Sequence, residues 1–447
     1  MSVHTLLQHF QARWVQFESG VVEDGEVVVV QFPRCQPRIL GVIDPFSTSK
    51  PTTEAMIRTA EKVAAQFGHN AGKFERLPDC CLGDVALLPG MVNCHTHLEF
   101  SDCQEPLGRS GLGFAEWLRA IIAHRASGGT AASEERVAMS STIMGQGWRE
   151  ILAGGVAAAG EILSQPATGS AAPGPKVADF CGTIFHEVLG LAPQRAQASW
   201  NWARECLQQS PHENVRHGLS PHAPYSTSTQ LYRQCAEFCG RNGVPLATHL
   251  AESREELQLL SERTGPLVEL FEQMGVWRPE QIEARGVRDV LEVVSDVENL
   301  LLIHGNYLER EDWRWLRDKN PNVTIVYCPQ THAYFQHERH PWVEMAADGL
   351  SIALGTDSRA SSSSLSLWHD VQLVRETYPE QDPLTLWSMA TINGAKALGL
   401  NKDLGAIGPG KLARFCVADL GTTMTRFSWE ALLSSSTQVR SLSGLEL

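Results

Sequence analysis

Short apolar runs recur along the centre of the chain, and most are separated by segments in which apolar residues repeat with helical period. Eight such runs lie near residues 91–97, 156–162, 183–188, 215–220, 245–249, 300–304, 323–328 and 351–356. Helical spacing is clearest at 228–241 and 311–319. Strands that alternate with helices at this spacing favour parallel βαβ units. The pattern therefore predicts an α/β protein built on a (β/α)8, TIM-like barrel.

The two ends of the chain are rich in β-like runs instead. A valine run at 27–30 follows Asp24-Gly25, a dipeptide typical of a hairpin turn, and a similar run lies at 415–418. We expect both ends to form one small β-sandwich, with parts 1–88 and 403–447 flanking a barrel at 89–402. The Pro-, Gly- and Ala-rich stretch 165–176 predicts an exposed loop, and the serine run 361–364 predicts a loop leading into a helix.

Composition narrows the classes of function. The chain has 447 residues, with 37 Lys+Arg against 51 Asp+Glu and a net charge of −14, which disfavours a nucleic-acid or anionic-membrane partner. No apolar run is long enough to span a membrane, and the N-terminus has no secretory pattern. Eleven cysteines without a CxxC pair favour reduced thiols in a cytoplasmic protein.

The sharpest chemical signal is a pair of histidines two residues apart. His95 and His97 end the first apolar run. On a strand this spacing places both imidazoles on the same face, and at the carboxyl end of a barrel strand they would point into the mouth. Two neutral imidazoles there form half of a zinc-type site. Taken alone, this motif has a second interpretation, in which the two histidines are unrelated surface residues and bind no metal.

Other polar residues end three further runs. His249 and His304 close the fifth and sixth runs, and Asp357 closes the eighth. A buried aspartate without a partner is costly, so Asp357 requires a cation. Glu252 follows His249 by three residues, where a carboxylate can shuttle protons beside a metal-bound water. Alternatively, Glu252 is an acidic residue at the N-terminus of a helix, as Glu255 and Glu256 are.

In their order and spacing, the motifs PGMVNCHTHLE, THLAE, IHGN and LGTDS resemble those of the amidohydrolase superfamily, as does the tail LGAIGPGKLARFCVADL. The resemblance covers essentially the whole chain. It implies a metal held by His95, His97, His249 and Asp357. It also implies acid–base roles for Glu252 and Asp357, with His304 orienting the substrate or hydroxide. No lysine lies between residues 176 and 319, so the lysine that bridges two metals in binuclear members is missing, and a mononuclear site is expected.

Further segments are similar to the deaminase and chlorohydrolase branch of that superfamily. LSPHAPYS at 219–226 and FAEWL at 114–118 resemble motifs of S-adenosylhomocysteine/methylthioadenosine deaminases and aminofutalosine deaminases, and they imply substrate contacts from His222 and Trp117. Ala126 stands where adenosine-type members carry a glutamate that grips the ribose. His332 lies in a segment that departs from the usual Ser-Asn form, and it either faces the substrate or is a satisfied loop histidine. Structural and functional roles are both open for two weaker candidates, Glu161 and His186.

Together these observations predict an enzyme that binds one divalent metal, with zinc first and iron(II) or manganese(II) as alternatives. The expected reaction is deamination of a small heterocyclic amine, in first place an adenine nucleoside derivative similar to aminofutalosine. The alternative is hydrolytic dechlorination or another C–N hydrolysis on a triazine- or pyrimidine-type ring. A non-catalytic scaffold on the same fold is a third reading. No nucleic-acid or membrane partner is expected, and homodimers are common among such relatives.

Overall fold

The computed structural model describes residues 5–17, 20–32, 35–46, 53–66, 73–127, 133–165, 180–208, 214–420, 426–434 and 436–443. From residue 166 onward the predicted loop at 165–176 lies outside this part of the chain. The strands described are β1 Thr5–Phe17, β2 Gly20–Gln31, β3 Arg38–Ile43, β4 Phe74–Arg76, β5 Cys80–Cys81, β6 Val85–Pro89, β7 Met91–Thr96, β8 Val156–Leu163, β9 Gly182–Val188, β10 Val215–Pro221, β11 Leu246–Leu250, β12 Leu300–His304, β13 Thr324–Tyr327, β14 Ser351–Leu354, β15 Arg414–Asp419 and β16 Gln438–Ser443.

The helices described are α1 Thr53–Gln66, α2 Phe114–Ser127, α3 Ser133–Ala153, α4 Pro193–Leu207, α5 Thr229–Asn242, α6 Arg254–Glu262, α7 Pro266–Gln273, α8 Val287–Val294, α9 Arg310–Lys319, α10 Pro329–Tyr334, α11 Trp342–Ala347, α12 Leu367–Thr377, α13 Pro383–Met389, α14 Ile392–Ala397 and α15 Trp429–Leu432. Short 3-10 turns lie at Leu98–Phe100 and Pro279–Gln281. The serine run 361–364 is loop, as predicted, and α12 begins after it.

Strands β7 to β14 form one eight-stranded sheet in which sequence neighbours are also spatial neighbours. The register of the inner pairs is parallel, and an isolated parallel bridge joins Thr96, at the end of β7, to Asp357, just after β14. The first and last strands therefore meet, and the predicted (β/α)8 barrel is confirmed. Strands β11 and β12 are buried along their whole length, because barrel strands are covered on both faces.

Strands from both ends of the chain form a second, mixed sheet in the order β16-β15-β6-β1-β2-β3, with β4 and β5 also paired to β1. Val27 and Val29 of β2 pack into one buried cluster, whereas Val28 and Val30 pack into another that includes residues of α1. The valine run is therefore buried on both faces of its sheet. This arrangement agrees with the expected pairing of the two chain ends.

The hairpin predicted at Asp24-Gly25 is wrong. Strand β2 runs through this dipeptide, and the reversal lies between Phe17 and Gly20, which are register partners. Asp24 has a φ of 49°, so the strand is locally irregular there. A Cβ on Gly25 would lie 2.8 Å from Val15 Cγ2, so the glycine permits close packing within the sheet instead of a turn.

Two compact units divide the chain. One comprises residues 1–92, 151–157 and 371–447, and the other comprises 93–150 and 158–370. The domain boundaries drawn from the sequence stay a prediction. No helix among the described residues is long and apolar enough to cross a membrane. The eleven cysteines form no disulfide bond with one another.

Candidate active site

The polar residues singled out in the sequence gather at the carboxyl ends of barrel strands. His95 lies near the end of β7 and His97 directly follows that strand, His249 lies near the end of β11, and His304 ends β12. Asp357 follows β14 and, like His304, has a left-handed backbone, with φ of 57° and 68°. Such conformations cost energy in non-glycine residues and cluster at functional sites. The chain therefore turns sharply where these side chains enter the barrel mouth.

Three histidines and one aspartate converge there, and all four are buried. His97 Nε2 lies 3.3 Å from His249 Nε2, and Asp357 Oδ1 lies 3.5 Å from His95 Nε2 and 3.9 Å from His97 Nε2. Two nitrogen ligands of one tetrahedral zinc, at about 2.0–2.1 Å from the metal, lie about 3.3 Å apart. The spacing within this group thus matches the spacing of ligands around one cation.

The ring nitrogens of the group are arranged to bind a cation and not to form hydrogen bonds with one another. His249 Nδ1 donates to the carbonyl of His222 at 2.9 Å, so the lone pair of Nε2 faces His97. Among the described residues, no hydrogen-bond partner meets either ring nitrogen of His95 or Nδ1 of His97. Burial holds the pKa of His97 and His249 well below the usual range, so both are neutral imidazoles, the form that ligates metals.

Asp357 supplies the negative charge of the group. Burial opposes its ionisation, but the neighbouring imidazoles of His95, His304 and His97 hold the pKa of Asp357 below its usual range. Its Oδ2 accepts from Ser361 Oγ at 3.3 Å, and its backbone N–H donates to the carbonyl of His95 at 3.0 Å. The carboxylate is thus ionised and fixed against the first strand.

A second set of buried contacts joins the first barrel strand, β7, to the segment that follows the last one, β14. Asn93 Nδ2 donates to Thr356 Oγ1 at 2.8 Å, and the N–H groups of Thr356 and His95 donate to Asn93 Oδ1 at 3.1 and 3.3 Å. One amide side chain therefore sets the register between the first and last strands next to two of the gathered residues. No sequence motif indicated this role for Asn93.

Glu252 lies just beyond β11 with its carboxylate buried near the group. Its Oε1 is 3.5 Å from His304 Nε2, and its carbonyl accepts from Asn306 Nδ2 at 2.9 Å. Burial, reinforced by the negative charge of Asp357, raises the pKa of Glu252 well above its usual range. The carboxyl therefore holds a proton more readily than an exposed glutamate does, as a proton-transferring group must.

Glu256 anchors the backbone under Glu252. Its carboxylate accepts from the N–H groups of Ala251 and Glu252, both at 2.9 Å, and its own N–H donates to Ser253 Oγ at 3.1 Å. Ser253 is the N-cap of α6. Glu256 is thus an acid of a helix N-terminus, as expected from the sequence, whereas Glu252 points towards the histidines.

Glu161 holds the turn that follows the histidine pair. Its Oε2 accepts from Thr96 Oγ1 at 2.5 Å, and its Oε1 accepts from the N–H of Leu98 at 3.0 Å. These donors flank His97 on both sides. Burial raises the pKa of Glu161 well above its usual range, which favours the uncharged carboxyl. Its contacts are those of a residue that positions His97.

The remaining sequence candidates are spread around the barrel. His222 Nδ1 lies 2.6 Å from Ser226 Oγ, and burial lowers the pKa of His222 to about 3. Trp117, on α2, donates from Nε1 to the carbonyl of Ala360 at 3.0 Å. Both lie in the same unit as the gathered histidines. Their substrate contacts stay a prediction.

His332 and His186 make contacts within the protein. His332 Nε2 donates to the carbonyl of Glu338 at 2.7 Å, and its Nδ1 lies 3.2 Å from Asn306 Oδ1. A substrate contact from His332 stays a prediction. His186 stacks on His217 with the ring planes 9° apart. Its Nε2 lies 3.0 Å from His217 Nδ1.

A polar network that sequence reasoning missed lies beside His222. Ser164 Oγ is within hydrogen-bond distance of Glu99 Oε1 at 2.7 Å and of Glu187 Oε2 at 2.9 Å, and Arg125 Nη2 donates to Glu99 Oε1 at 2.8 Å. Glu187 Oε1 is buried, makes no hydrogen bond within the described chain, and lies 3.9 Å from His222 Nε2. A carboxylate oxygen is therefore left available next to the imidazole.

Comparison with known proteins agrees with this geometry. A family model described as the amidohydrolase family matches residues 86–441. The aminodeoxyfutalosine deaminase of Deinococcus radiodurans is 29% identical over 329 residues, 70% of this chain and 74% of that protein. The 5-methylthioadenosine/S-adenosylhomocysteine deaminase of Syntrophobacter fumaroxidans is 25% identical over 400 residues, 82% of this chain and 77% of that protein.

Solved structures share the fold over nearly the whole chain. The Helicobacter pylori aminofutalosine deaminase in complex with methylthio-coformycin gives a TM-score of 0.70 at 20% identity and covers 95% of both chains. An adenosine deaminase from Xanthomonas campestris with bound zinc gives a TM-score of 0.69 at 20% identity, covering 95% of this chain and 88% of that one.

Proposed function

Because this chain belongs to the amidohydrolase family and is a hydrolase of carbon–nitrogen bonds, we propose that it deaminates an adenine nucleoside derivative with one divalent metal ion. The observation that carries the proposal is the convergence of four buried ligand-type side chains beside a buried carboxyl of raised pKa. Relatives that align over most of their length and are named as deaminases of aminodeoxyfutalosine and of adenosine thioethers support the adenine class.

His95, His97, His249 and Asp357 would hold the metal. Their fit rests on ring nitrogens that lack hydrogen-bond partners in the described chain and on the lone pair of His249 directed at His97. When bound, a divalent metal lowers the pKa of water and so supplies a nucleophile at neutral pH. The donor set suits zinc, and the zinc in the Xanthomonas campestris structure favours it, with iron(II) and manganese(II) as alternatives.

Glu252 carries the protons of the reaction. Water adds to the ring carbon that bears the amino group, and ammonia leaves, so one proton must leave the water and reach the departing nitrogen. The raised pKa of Glu252 lets its carboxylate accept one proton of the water and give it to the adjacent ring nitrogen, which keeps it in the product. The second proton of the water then passes through Glu252 to the departing amine. Asp357 accepts a proton from the same water, and His304, 3.5 Å from Glu252, stabilises the developing charge.

His222, Trp117 and Glu187 bind the rest of the substrate. The indole of Trp117, held by its bond to Ala360, offers an apolar face to the heterocycle. The unpaired Oε1 of Glu187 accepts a hydroxyl of the sugar beside His222. Glu187 thereby supplies the carboxylate that Ala126 lacks. The substrate is thus an adenine nucleoside whose sugar is held by a group from β9 instead of one from α2.

Ammonia release from protein of known metal content tests the proposal. The panel contains adenine nucleosides, aminofutalosine, guanine, cytosine and aminated triazines. About one equivalent of catalytic metal with turnover of one adenine derivative would support the deaminase. Metal without ammonia from any adenine compound would contradict it, and turnover of a triazine alone would assign the other branch. If the protein binds no metal after loading, the proposed set of metal ligands is wrong and the non-catalytic scaffold is favoured.

A further inference from the structure

A second cluster of ligand-type side chains lies outside the proposed catalytic group. Asp102 and Cys103 follow the 3-10 turn Leu98–Phe100, and His124 lies in the last turn of α2. His124 Nε2 is 3.2 Å from Asp102 Oδ1 and 3.7 Å from Cys103 Sγ, and the three ligand atoms all lie within 4.8 Å of one another. We propose that these residues form a structural site for a thiophilic divalent cation, in first place zinc.

The geometry argues for a cation over hydrogen bonds alone. An imidazole nitrogen has one proton or one lone pair in the ring plane, yet two partners approach Nε2 of His124. A tetrahedral zinc with bonds of about 2.0–2.2 Å to nitrogen and oxygen and about 2.3 Å to sulfur places its nitrogen about 3.3 Å from the oxygen and about 3.6 Å from the sulfur. The observed distances of 3.2 and 3.7 Å are close to both values.

The charges also balance around a dication. A cysteine ligates a metal as the thiolate, so the Cys103 thiol must give up its proton when a cation binds. Cation binding forms the metal–sulfur bond and releases that proton to solvent. A thiolate, a carboxylate and a neutral imidazole then neutralise two positive charges. The carboxylate of Asp102 is 38% exposed, which leaves room for solvent as a fourth ligand.

The cluster lies close to the proposed catalytic group but is distinct from it. The Phe100 ring centroid is 6.3 Å from that of His97 and 6.1 Å from that of His124, so this ring contacts both groups. A cation bound by Asp102, Cys103 and His124 would tie the loop after β7 to α2. That helix carries Trp117, so occupancy would steady the mouth of the barrel without entering the reaction.

Sulfur provides a readout that belongs to this cluster alone, because the proposed catalytic ligands contain none. We would load the protein with zinc, remove excess by gel filtration, count zinc by elemental analysis and record X-ray absorption at the zinc edge. The expected wild-type result is two equivalents, with zinc–sulfur scattering at about 2.3 Å. Cys103→Ala should retain one equivalent and lose the sulfur signal.

Cys206→Ala is the matched control, since Cys206 is equally buried on α4, far along the chain from the cluster. It should keep both the sulfur signal and two equivalents. Wild-type protein without sulfur scattering would overturn the proposal, as would a signal that survives Cys103→Ala. The wild-type spectrum decides the question even if that variant fails to fold. Sulfur-bound zinc without ammonia release would uphold this site while refuting the proposed function.

Discussion

The contacts of Glu161 predict opposite outcomes for two substitutions at that position. Glu161→Ala removes the acceptor of two buried donors, Thr96 Oγ1 and the N–H of Leu98. Each buried donor left without a partner costs about 1–3 kcal/mol, so we expect a loss of about 2–6 kcal/mol in the free energy of unfolding. Because these donors flank His97, the variant should also bind metal more weakly.

Glu161→Gln should be nearly neutral. Burial raises the pKa of Glu161 and so favours the uncharged carboxyl, which the amide of glutamine matches in size and shape. Its oxygen can accept from Leu98, while its N–H group donates to Thr96 Oγ1, whose own proton can turn to the carbonyl of Gly160 at 3.4 Å. We expect a stability change below about 1.5 kcal/mol, the worth of one ordinary hydrogen bond.

Urea unfolding, metal content and the rate of ammonia release, measured on both variants and the wild type, separate a positioning role from a catalytic one. A positioning role requires the alanine variant to lose stability and metal together, with the glutamine variant close to wild type. If Glu161→Gln stays folded and metal-loaded but loses activity by a hundredfold or more, Glu161 handles a proton itself and the reasoning from its contacts is refuted.

Three further predictions follow from other parts of the molecule. Glu252→Gln should lower kcat by about 10²–10⁴-fold while retaining metal, with the exposed Glu262→Gln unchanged as control; near-wild-type turnover would contradict the proton role. Burial lowers the pKa of His340 to about 3 against about 6.5 in the unfolded chain. The folded state therefore binds fewer protons and loses stability as pH falls. His340→Gln should reduce the dependence of the free energy of unfolding on pH by about 1.4 kcal/mol per pH unit between about pH 6 and 4. The same pH dependence in the variant and the wild type, measured by urea unfolding, would refute this. Trp117→Leu should raise KM more than it lowers kcat in steady-state kinetics, and an unchanged KM would exclude the substrate contact.

The barrel was predictable because its strands are short apolar runs buried on both faces. All eight predicted runs match strands β7 to β14 to within two residues at each end. The gathering of His95, His249, His304 and Asp357 followed from the same pattern, since parallel strands bring their carboxyl ends to one side. Local sequence thus carried both the fold class and the grouping of these residues.

What the sequence could not supply are contacts set by pairing between distant segments. The hydrogen bonds of Glu161 depend on β8 lying beside β7, and those of Asn93 depend on closure of the barrel. Whether Oε1 of Glu187 stays without a hydrogen bond depends on the positions that Ser164 and Arg125 take in the folded chain. At Asp24-Gly25 the turn signal was overridden by tertiary packing, because strand pairing extends past the dipeptide and Val15 leaves no room for a side chain there.

The seam between the first and last barrel strands has a consequence for the order of events during synthesis and folding. Its buried bond joins Asn93 to Thr356 across 263 residues of chain, and the proposed ligands span the same join. Bringing such distant segments together costs chain entropy that is recovered only when the whole barrel is present, which makes long-range closure slow. A chain that is still being synthesised therefore cannot assemble the proposed metal site until residue 357 has been added. Metal uptake in a refolding experiment would then mark completion of the barrel.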